Sequence, residues 1–289
     1  MPKAVALEPE VFGEWFPRRR SSSRKGENGR VLVVGGSWLY HGAPVNSSRG
    51  AMAAGVDLVY LAVPKTISVP VRSMSADIIV YPLPDAKTTA GSMRRLLKWL
   101  PEIDCAVVGP GTAGPASEGL ALLVRELRSR GVAVVLDAGA LEKEIVAPAS
   151  GGRAVVTPHA GEFKRLTGVE LPRELGARVE PVRKAAKELG VTILQKGRGD
   201  VISDGTACFT TATGRAAMTV GGTGDVLAGL VGGLLSLGMD PVRAAAVGSY
   251  ANGLAGTRAW EEYGNRITAT DVGAELRHVM KGFDRGDMA

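Results

Sequence analysis

Cysteine is nearly absent: only Cys105 and Cys208 occur among 289 residues. They form no CxxC pair, which excludes a cysteine-built zinc site and a disulfide framework. Cys105 falls in the apolar run Cys105-Ala106-Val107-Val108 and reads as a buried thiol. Three histidines, His41, His159 and His278, leave little for a structural metal. Aromatic residues make up 5% of the chain, too few for a base-stacking module, so nucleic acid is not expected as a partner. No uninterrupted apolar run approaches the roughly 20 residues of a membrane span. No N-terminal stretch joins a basic region to an apolar core and a cleavage site. The expectation is a cytoplasmic protein with no membrane partner. Two nucleotide signatures are missing as well. There is no GxxxxGK[ST] phosphate loop, and the loop at 35–42 lacks G-x-G-x-x-G spacing. A Walker-type nucleotide binder and an ordinary Rossmann dehydrogenase are thereby excluded.

What is present is globular: 45% hydrophobic, 22% charged, and 39 glycines. The length permits a sizeable core and one large α/β domain. The net charge of +6 comes from 35 basic and 29 acidic residues. Part of the excess lies in Arg18-Arg19-Arg20 and Arg24-Lys25, which read as a solvated tail or as a field attracting an anionic substrate.

Residues 1–29 read as a polar, basic arm, and 30–289 as a single domain. Short β-branched runs then alternate with helical patterns. Strands are expected at Val31–Val34, Leu58–Val63, Ile78–Tyr81, Cys105–Val108, Val132–Leu136, Ala154–Val156 and Val191–Leu194. A hairpin is expected from Val201–Ser203 and Ala207–Thr210. Helices are expected at 44–57, 117–130, 178–189, 224–237, 241–263 and 271–280. Near-continuous Val, Ile and Leu strands separated by helices indicate an α/β fold, a mostly parallel sheet covered on both faces. Such sheets bind ligands beyond the carboxyl ends of their strands. There the sequence places its unusual loops: GGSWLYHGAP at 35–44, GPGTAG at 109–114, Asp137, TPHAGE at 157–162 and QKG at 195–197.

The most informative stretch is Gly221-Gly222-Thr223-Gly224-Asp225, followed by the apolar run Val226–Leu237. Glycines opening a helix gather free N–H groups at the positive end of its dipole, which makes an anion site. A helix cap would explain the aspartate but not the glycines around it. A carboxylate beside a phosphate cradle suits the deprotonation of a hydroxyl that attacks that phosphate. The other loops each have a plain reading beside a functional one. Gly109–Gly114 is either a tight turn or a close approach to ligand. Asp137 is a helix N-cap, or a holder of ribose, metal or water. His159 and Glu162 bind substrate or position a metal-bound water, unless Thr157 and Glu162 only start the next helix. Lys196 is a surface lysine or a phosphate contact.

In this order the loops resemble the ADP/ATP-dependent NAD(P)H-hydrate dehydratases, a branch of the ribokinase-like superfamily. KGENGRVLVVGGSWLYHGAP at 25–44, VVGPGT at 107–112, LDAGAL at 136–141 and TPHAGEFKRLTG at 157–168 carry the resemblance. It continues in QKGRGDVISDG at 195–205 and TGRAAMTVGGTGDVLAGLVGGLL at 213–235. GTGD alone marks the superfamily, kinases included; TPHxGE with the GGS…GAP loop is far more specific to the dehydratases. The resemblance implies a ribokinase-like fold and repair of hydrated NADH or NADPH (NADHX, NADPHX), in the S form. Asp225 is implied as substrate contact and base, with the N–H groups of Gly222, Thr223 and Gly224 steadying the transferred phosphoryl group. Ala43, Gly111 and His159 are implied to bind substrate. Lys196, Gly197, Arg198, Gly199, Asp200 and Gly224 are implied to bind ADP or ATP. Mg²⁺ is implied with the nucleotide, and Glu162 is a candidate for holding it. By the same analogy a homo-oligomer, as a tetramer, is expected, together with a separate epimerase.

Three positions depart from the family pattern: Arg24 before Lys25-Gly26, Arg215 after Thr213-Gly214, and Asn252 before Gly253. Two rivals remain. A hydroxyethylthiazole or pyridoxal kinase would share GTGD but release a stable phosphate ester, and a nucleotide-binding regulator would keep the fold without the chemistry.

Overall fold

The structure is a computed structural model that describes residues 4–7, 12–85, 88–113 and 117–284. In chain order the first half comprises β1 (Val5–Ala6), α1 (Phe12–Trp15), β2 (Arg30–Val34), α2 (Gly42–Ala53), β3 (Leu58–Pro64), α3 (Lys65–Ser73), β4 (Ile79–Leu83), α4 (Ala90–Trp99), β5 (Cys105–Val108), α5 (Ser117–Ser129), β6 (Ala133–Leu136) and α6 (Lys143–Val146). The second half comprises β7 (Ala154–Val156), α7 (Ala160–Thr167), α8 (Leu175–Leu189), β8 (Thr192–Gln195), β9 (Asp200–Ser203), β10 (Cys208–Thr211), α9 (Thr223–Ser236), α10 (Pro241–Tyr263) and α11 (Ala269–Lys281).

Ten strands form one sheet in the order β1-β10-β9-β8-β7-β6-β5-β2-β3-β4. From β4 to β8 every pairing is parallel. At the other end β9 is antiparallel to both β8 and β10. The pleat sends alternate residues to opposite faces. On β2, Val31 and Val33 join a core under α2, α9, α10 and α11, while Leu32 and Val34 join a second core under α4, α5, α7 and α8. Burial on both faces is why the strands read as unbroken apolar runs.

Strand order fixes where a ligand can go. From β2 the chain moves outward to β3 and β4; from β5 it moves the other way through β6, β7 and β8. The reversal between β2 and β5 opens a crevice at their carboxyl ends, the usual ligand position in such sheets. Helix α2 packs on α9 so closely that a Cβ on Gly50 would strike the Val226 carbonyl, and one on Gly229 the Ser47 carbonyl. Both helices are thereby committed to the core.

Described residues of the N-terminal arm pack onto the domain. Val5–Ala6 pairs in parallel with β10. Phe12 is fully buried, edge-on to Trp15, Tyr250 and Phe283. Phe12, Trp15 and Phe16 share one side of a helical turn, and that apolar face outweighs the surrounding charge. Arg18 and Arg20 stay exposed. Helix α8 begins at Leu175, not at the expected Arg178, because Arg178 faces inward. No helix among the described residues is long and apolar enough to cross a membrane.

Candidate active site

The crevice is lined first by the loops after β2 and β5. Gly36 donates its N–H to the Pro110 carbonyl at 2.8 Å, tying one loop to the other. Gly111 has φ +69°, and a Cβ there would lie 2.9 Å from the Cβ of Ala43 and 2.5 Å from the Tyr40 carbonyl. Only glycine fits that conformation and that space. Ala43, in the first turn of α2, and Gly111 therefore form one wall. Gly114, the end of this loop motif, lies outside the described residues.

Three more strands deliver side chains to the same edge. Asp137, directly after β6, is 2% exposed. It does not cap the short 3₁₀ turn that follows. Its Oδ1 instead accepts from Thr157 Oγ1 at 2.7 Å and from Lys196 Nζ at 2.9 Å. Lys196 follows β8, and its side chain is 19% exposed, so the surface-lysine reading fails. His159, after β7, pairs in register with Lys196 through an isolated bridge. The His159 Nδ1 accepts from the N–H groups of Gly161 and Glu162, and Glu162 Oε2 accepts the His159 N–H at 2.8 Å. This is a capping box for α7 built from His159 and Glu162; Thr157, expected as its partner, turns to Asp137 instead. The His159 ring remains 60% exposed toward solvent.

Glu162 Oε2 lies 3.9 Å from Lys196 Nζ, so the ammonium stands between two carboxylates. Burial would lower the Lys196 pKa, but Asp137, Glu162 and Asp225 outweigh it and raise the pKa. Lysine is held in its charged form.

The fourth component is the start of α9. Gly222 takes φ +99°, and a Cβ there would lie 2.7 Å from Asn46 Nδ2 and 2.8 Å from the Ala269 Cβ. No side chain among the described residues caps this helix end. The Thr223 hydroxyl turns away, donating to the Met218 and Val220 carbonyls, so Thr223 offers only its backbone N–H. A Cβ on Gly224 would lie 3.3 Å from Lys196 Nζ, which places the ammonium against the first turn. Asp225 follows in that turn. No described group donates a hydrogen bond to its carboxylate, although Ser47 Oγ donates to its backbone carbonyl at 2.8 Å. Burial first, then the neighbouring Asp137 and Glu162 charges, push its pKa up to about 7 against the opposing pull of Lys196. A carboxyl tuned to neutrality beside uncapped N–H groups can take a proton from a hydroxyl attacking a phosphate held there.

Residues Gly197, Arg198 and Gly199 turn from β8 to β9 next to this centre. The turn is clamped from behind by Arg178, which donates to Gln195 Oε1 at 2.7 Å and to the Arg198 and Gly199 carbonyls at 3.1 and 2.7 Å. Asp200 Oδ1 accepts from the Gly197 N–H and Oδ2 from Ser249 Oγ. Asp200 therefore shapes the turn, and burial raises its pKa. Sequence reasoning missed Arg178, Asn46 and Ser47. Arg178 shares a face with buried Val182, Ala185 and Ala186, a period that would have marked it as inward-facing. Among the departures, Arg215 lies over the Trp260 ring at 5.2 Å, and Asn252 is buried on α10 with its Oδ1 unpartnered.

The family model described as NAD(P)H-hydrate dehydratase matches residues 31–278. The chain belongs to the NAD(P)H-hydrate dehydratase family. It is 49% identical over 273 residues to the ADP-dependent (S)-NAD(P)H-hydrate dehydratase of Cenarchaeum symbiosum, covering 94% of this chain and 95% of that one. It is 46% identical over 280 residues to the enzyme of the same name from Nitrosopumilus maritimus, covering 96% and 98%. Among solved structures it resembles the ADP/ATP-dependent NAD(P)H-hydrate dehydratase of Bacillus subtilis co-crystallised with ATP/Mg²⁺. That match has a TM-score of 0.83 and 26% identity over 98% of this chain and all of the other. A ribokinase-like superfamily protein of Enterococcus faecalis shares the fold with a TM-score of 0.81, so the ribokinase-like architecture expected from the sequence is borne out.

Proposed function

We propose that this chain restores hydrated NADH or NADPH, in its S form, to the reduced cofactor at the expense of a nucleotide. The names of its relatives support the reaction, and the half-buried Asp225 at the uncapped α9 terminus is the observation that carries the mechanism.

The ring hydroxyl of the substrate lies in the crevice against Ala43, Gly111 and His159. Asp225 accepts its proton as the oxygen attacks the terminal phosphorus of the nucleotide. A P–O bond forms to the ring oxygen, and the bond to the nucleotide's bridging oxygen breaks. The N–H groups of 222–225 and the Lys196 ammonium stabilise charge on the transferred group. The ring C–O bond then breaks, phosphate leaves, and loss of a proton from the neighbouring ring carbon restores the double bond. Lys196 and the Gly197–Asp200 turn hold the nucleotide, with the turn rigidified by Arg178. ADP is the donor, a reading supported by the two relatives named as ADP-dependent.

No group of three or more metal-binding side chains exists among the described residues. That suits Mg²⁺, which keeps most of its waters and is held through phosphates and one or two carboxylates. Asp137 or Glu162 would supply that carboxylate, although one Glu162 oxygen already serves the capping box. Bound Mg²⁺ would neutralise phosphate charge.

The test incubates the protein with hydrated NADH, Mg²⁺ and either ADP or ATP and follows absorbance at the NADH band. Nucleotide-dependent recovery is expected, faster with ADP. Accumulation of a stable phosphate ester of a thiazole or pyridoxal alcohol, with no NADH recovered, would instead establish the kinase reading.

A further inference from the structure

A second cavity lies at the opposite end of the sheet. It measures about 710 Å³ and is bounded by the ends of α2 and α9, by α11 and by residues 16–28. That volume falls within the range of small-molecule sites. Phe16 and Phe283, stacked at 5.5 Å and 20°, line it. The walls carry Arg18, Arg20, Arg277 and Lys281.

Cations gather at helix C-termini for a plain reason, since they complement the dipole and bond the last carbonyls. Here that role is already filled. Arg19 serves the end of α2, donating to the Gly55 carbonyl, and is neutralised by Asp57 at 2.6 Å. Arg153 serves the end of α9, donating to the Leu235 and Met239 carbonyls at 2.8 and 3.2 Å. The dipole of α11 accounts for Lys281 in its last turn, but not for Arg18 or Arg20, which belong to no helix. None of these four side chains has a hydrogen bond or ion pair among the described residues. Among the described lining residues the carboxylates are Glu27 and Asp284.

We infer that this cavity is a second ligand site, for a phosphate ester bearing a flat ring, with the phosphates on Arg18, Arg20, Arg277 and Lys281 and the ring against Phe16 and Phe283. Guanidinium groups suit phosphate oxygens, and a stacked aromatic pair suits a planar base. The basic run Arg18-Arg19-Arg20 therefore does not serve the catalytic rim. Because residues 16–28 and α11 come from opposite ends of the chain, a ligand there ties them together and stabilises the fold.

The experiment counts ADP sites per chain by equilibrium dialysis at low ionic strength, using the intact protein, Lys196→Ala, and Arg18→Glu/Arg277→Glu. Two sites are expected for the wild type and one for each variant, with the Lys196-independent site weakened at least tenfold by 0.5 M salt. The charge-reversed protein should keep wild-type dehydratase turnover, which verifies its folding; if turnover is lost, Arg18→Gln/Arg277→Gln replaces it and the same loss of one site is required. A single site that Lys196→Ala removes and the charge reversal leaves intact overturns the inference. A single site with the opposite pattern sustains it and removes the nucleotide from the catalytic rim instead.

Discussion

Asp57 and Asp225 are the same residue at opposite ends of one sheet, and their acidities have moved in opposite directions. Asp57 precedes β3. Its Oδ2 accepts from the Gly26 and Asn28 N–H groups and from Asn28 Nδ2, and its Oδ1 from Arg19. Burial alone would raise its pKa; these four donors lower it instead. Asp225 is also withdrawn from water but has no donor among the described residues, and burial with the Asp137 and Glu162 charges carries it up to about 7. Hydrogen-bond donors and the sign of the neighbouring charges separate the two: donors and Arg19 around Asp57, Asp137 and Glu162 around Asp225. One carboxylate is anchored to close a loop; the other is left unsatisfied where a proton must be exchanged.

The largest effect is expected for Asp225→Asn. Turnover should fall by about 10³-fold or more, while ADP affinity, read by calorimetry, stays within a few-fold. The same variant should be more stable. A carboxyl whose folded pKa is raised destabilises the fold as pH rises from about 4 to about 7, and the cost persists above that. Asparagine removes it, so at pH 8 chemical denaturation should show a gain of about 1–3 kcal/mol. An active Asp225→Asn, or one less stable at pH 8, contradicts the assignment.

Lys196→Ala comes next. It removes a charge from the phosphate cradle and leaves Asp137 buried without its cation, so kcat/KM should drop roughly 10²-fold. It also removes the group that pulls the Asp225 pKa down, so the acid limb of the pH–rate profile should move to higher pH. An unmoved limb would mean that Lys196 does not sense Asp225.

In the wild-type enzyme, kcat/KM should fall about tenfold per pH unit below a midpoint near 7, measured in initial-rate assays. A flat profile down to pH 5 would show that the base has an ordinary carboxyl pKa. The smallest effect belongs to the other end of the sheet. Asp57→Asn should cost about 1–3 kcal/mol of stability with kcat unchanged. Its contribution is present at neutral pH and is lost as pH falls through the carboxylate range, because its folded pKa is lowered. Denaturant melts at pH 4 and pH 7 read this directly: the gap between wild type and variant should narrow at pH 4.

The sequence discloses the centre of the sheet well. Parallel strands buried on both faces must be continuous runs of Val, Leu and Ile, and Cys105–Val108 and Ala154–Val156 fall where they were expected. The glycines of the α9 start were also readable, because few other uses explain so many of them before a helix. The partnership of Asp137 with Lys196 was not. The two are 59 residues apart and meet only because β6, β7 and β8 lie side by side in register. The same holds for the acidity of Asp225, which depends on who fails to reach it. Short elements such as α1 escaped because a four-residue turn carries too little periodicity to stand out from its charged surroundings.

The central claim is that the ring hydroxyl becomes a phosphate ester before it leaves. Hydrated NADH labelled with ¹⁸O in that hydroxyl, turned over once with ADP, tests it directly. The label should appear in inorganic phosphate, one ¹⁸O per NADH restored; label appearing in water would mean that the hydroxyl leaves unphosphorylated and would overturn the phosphorylation step.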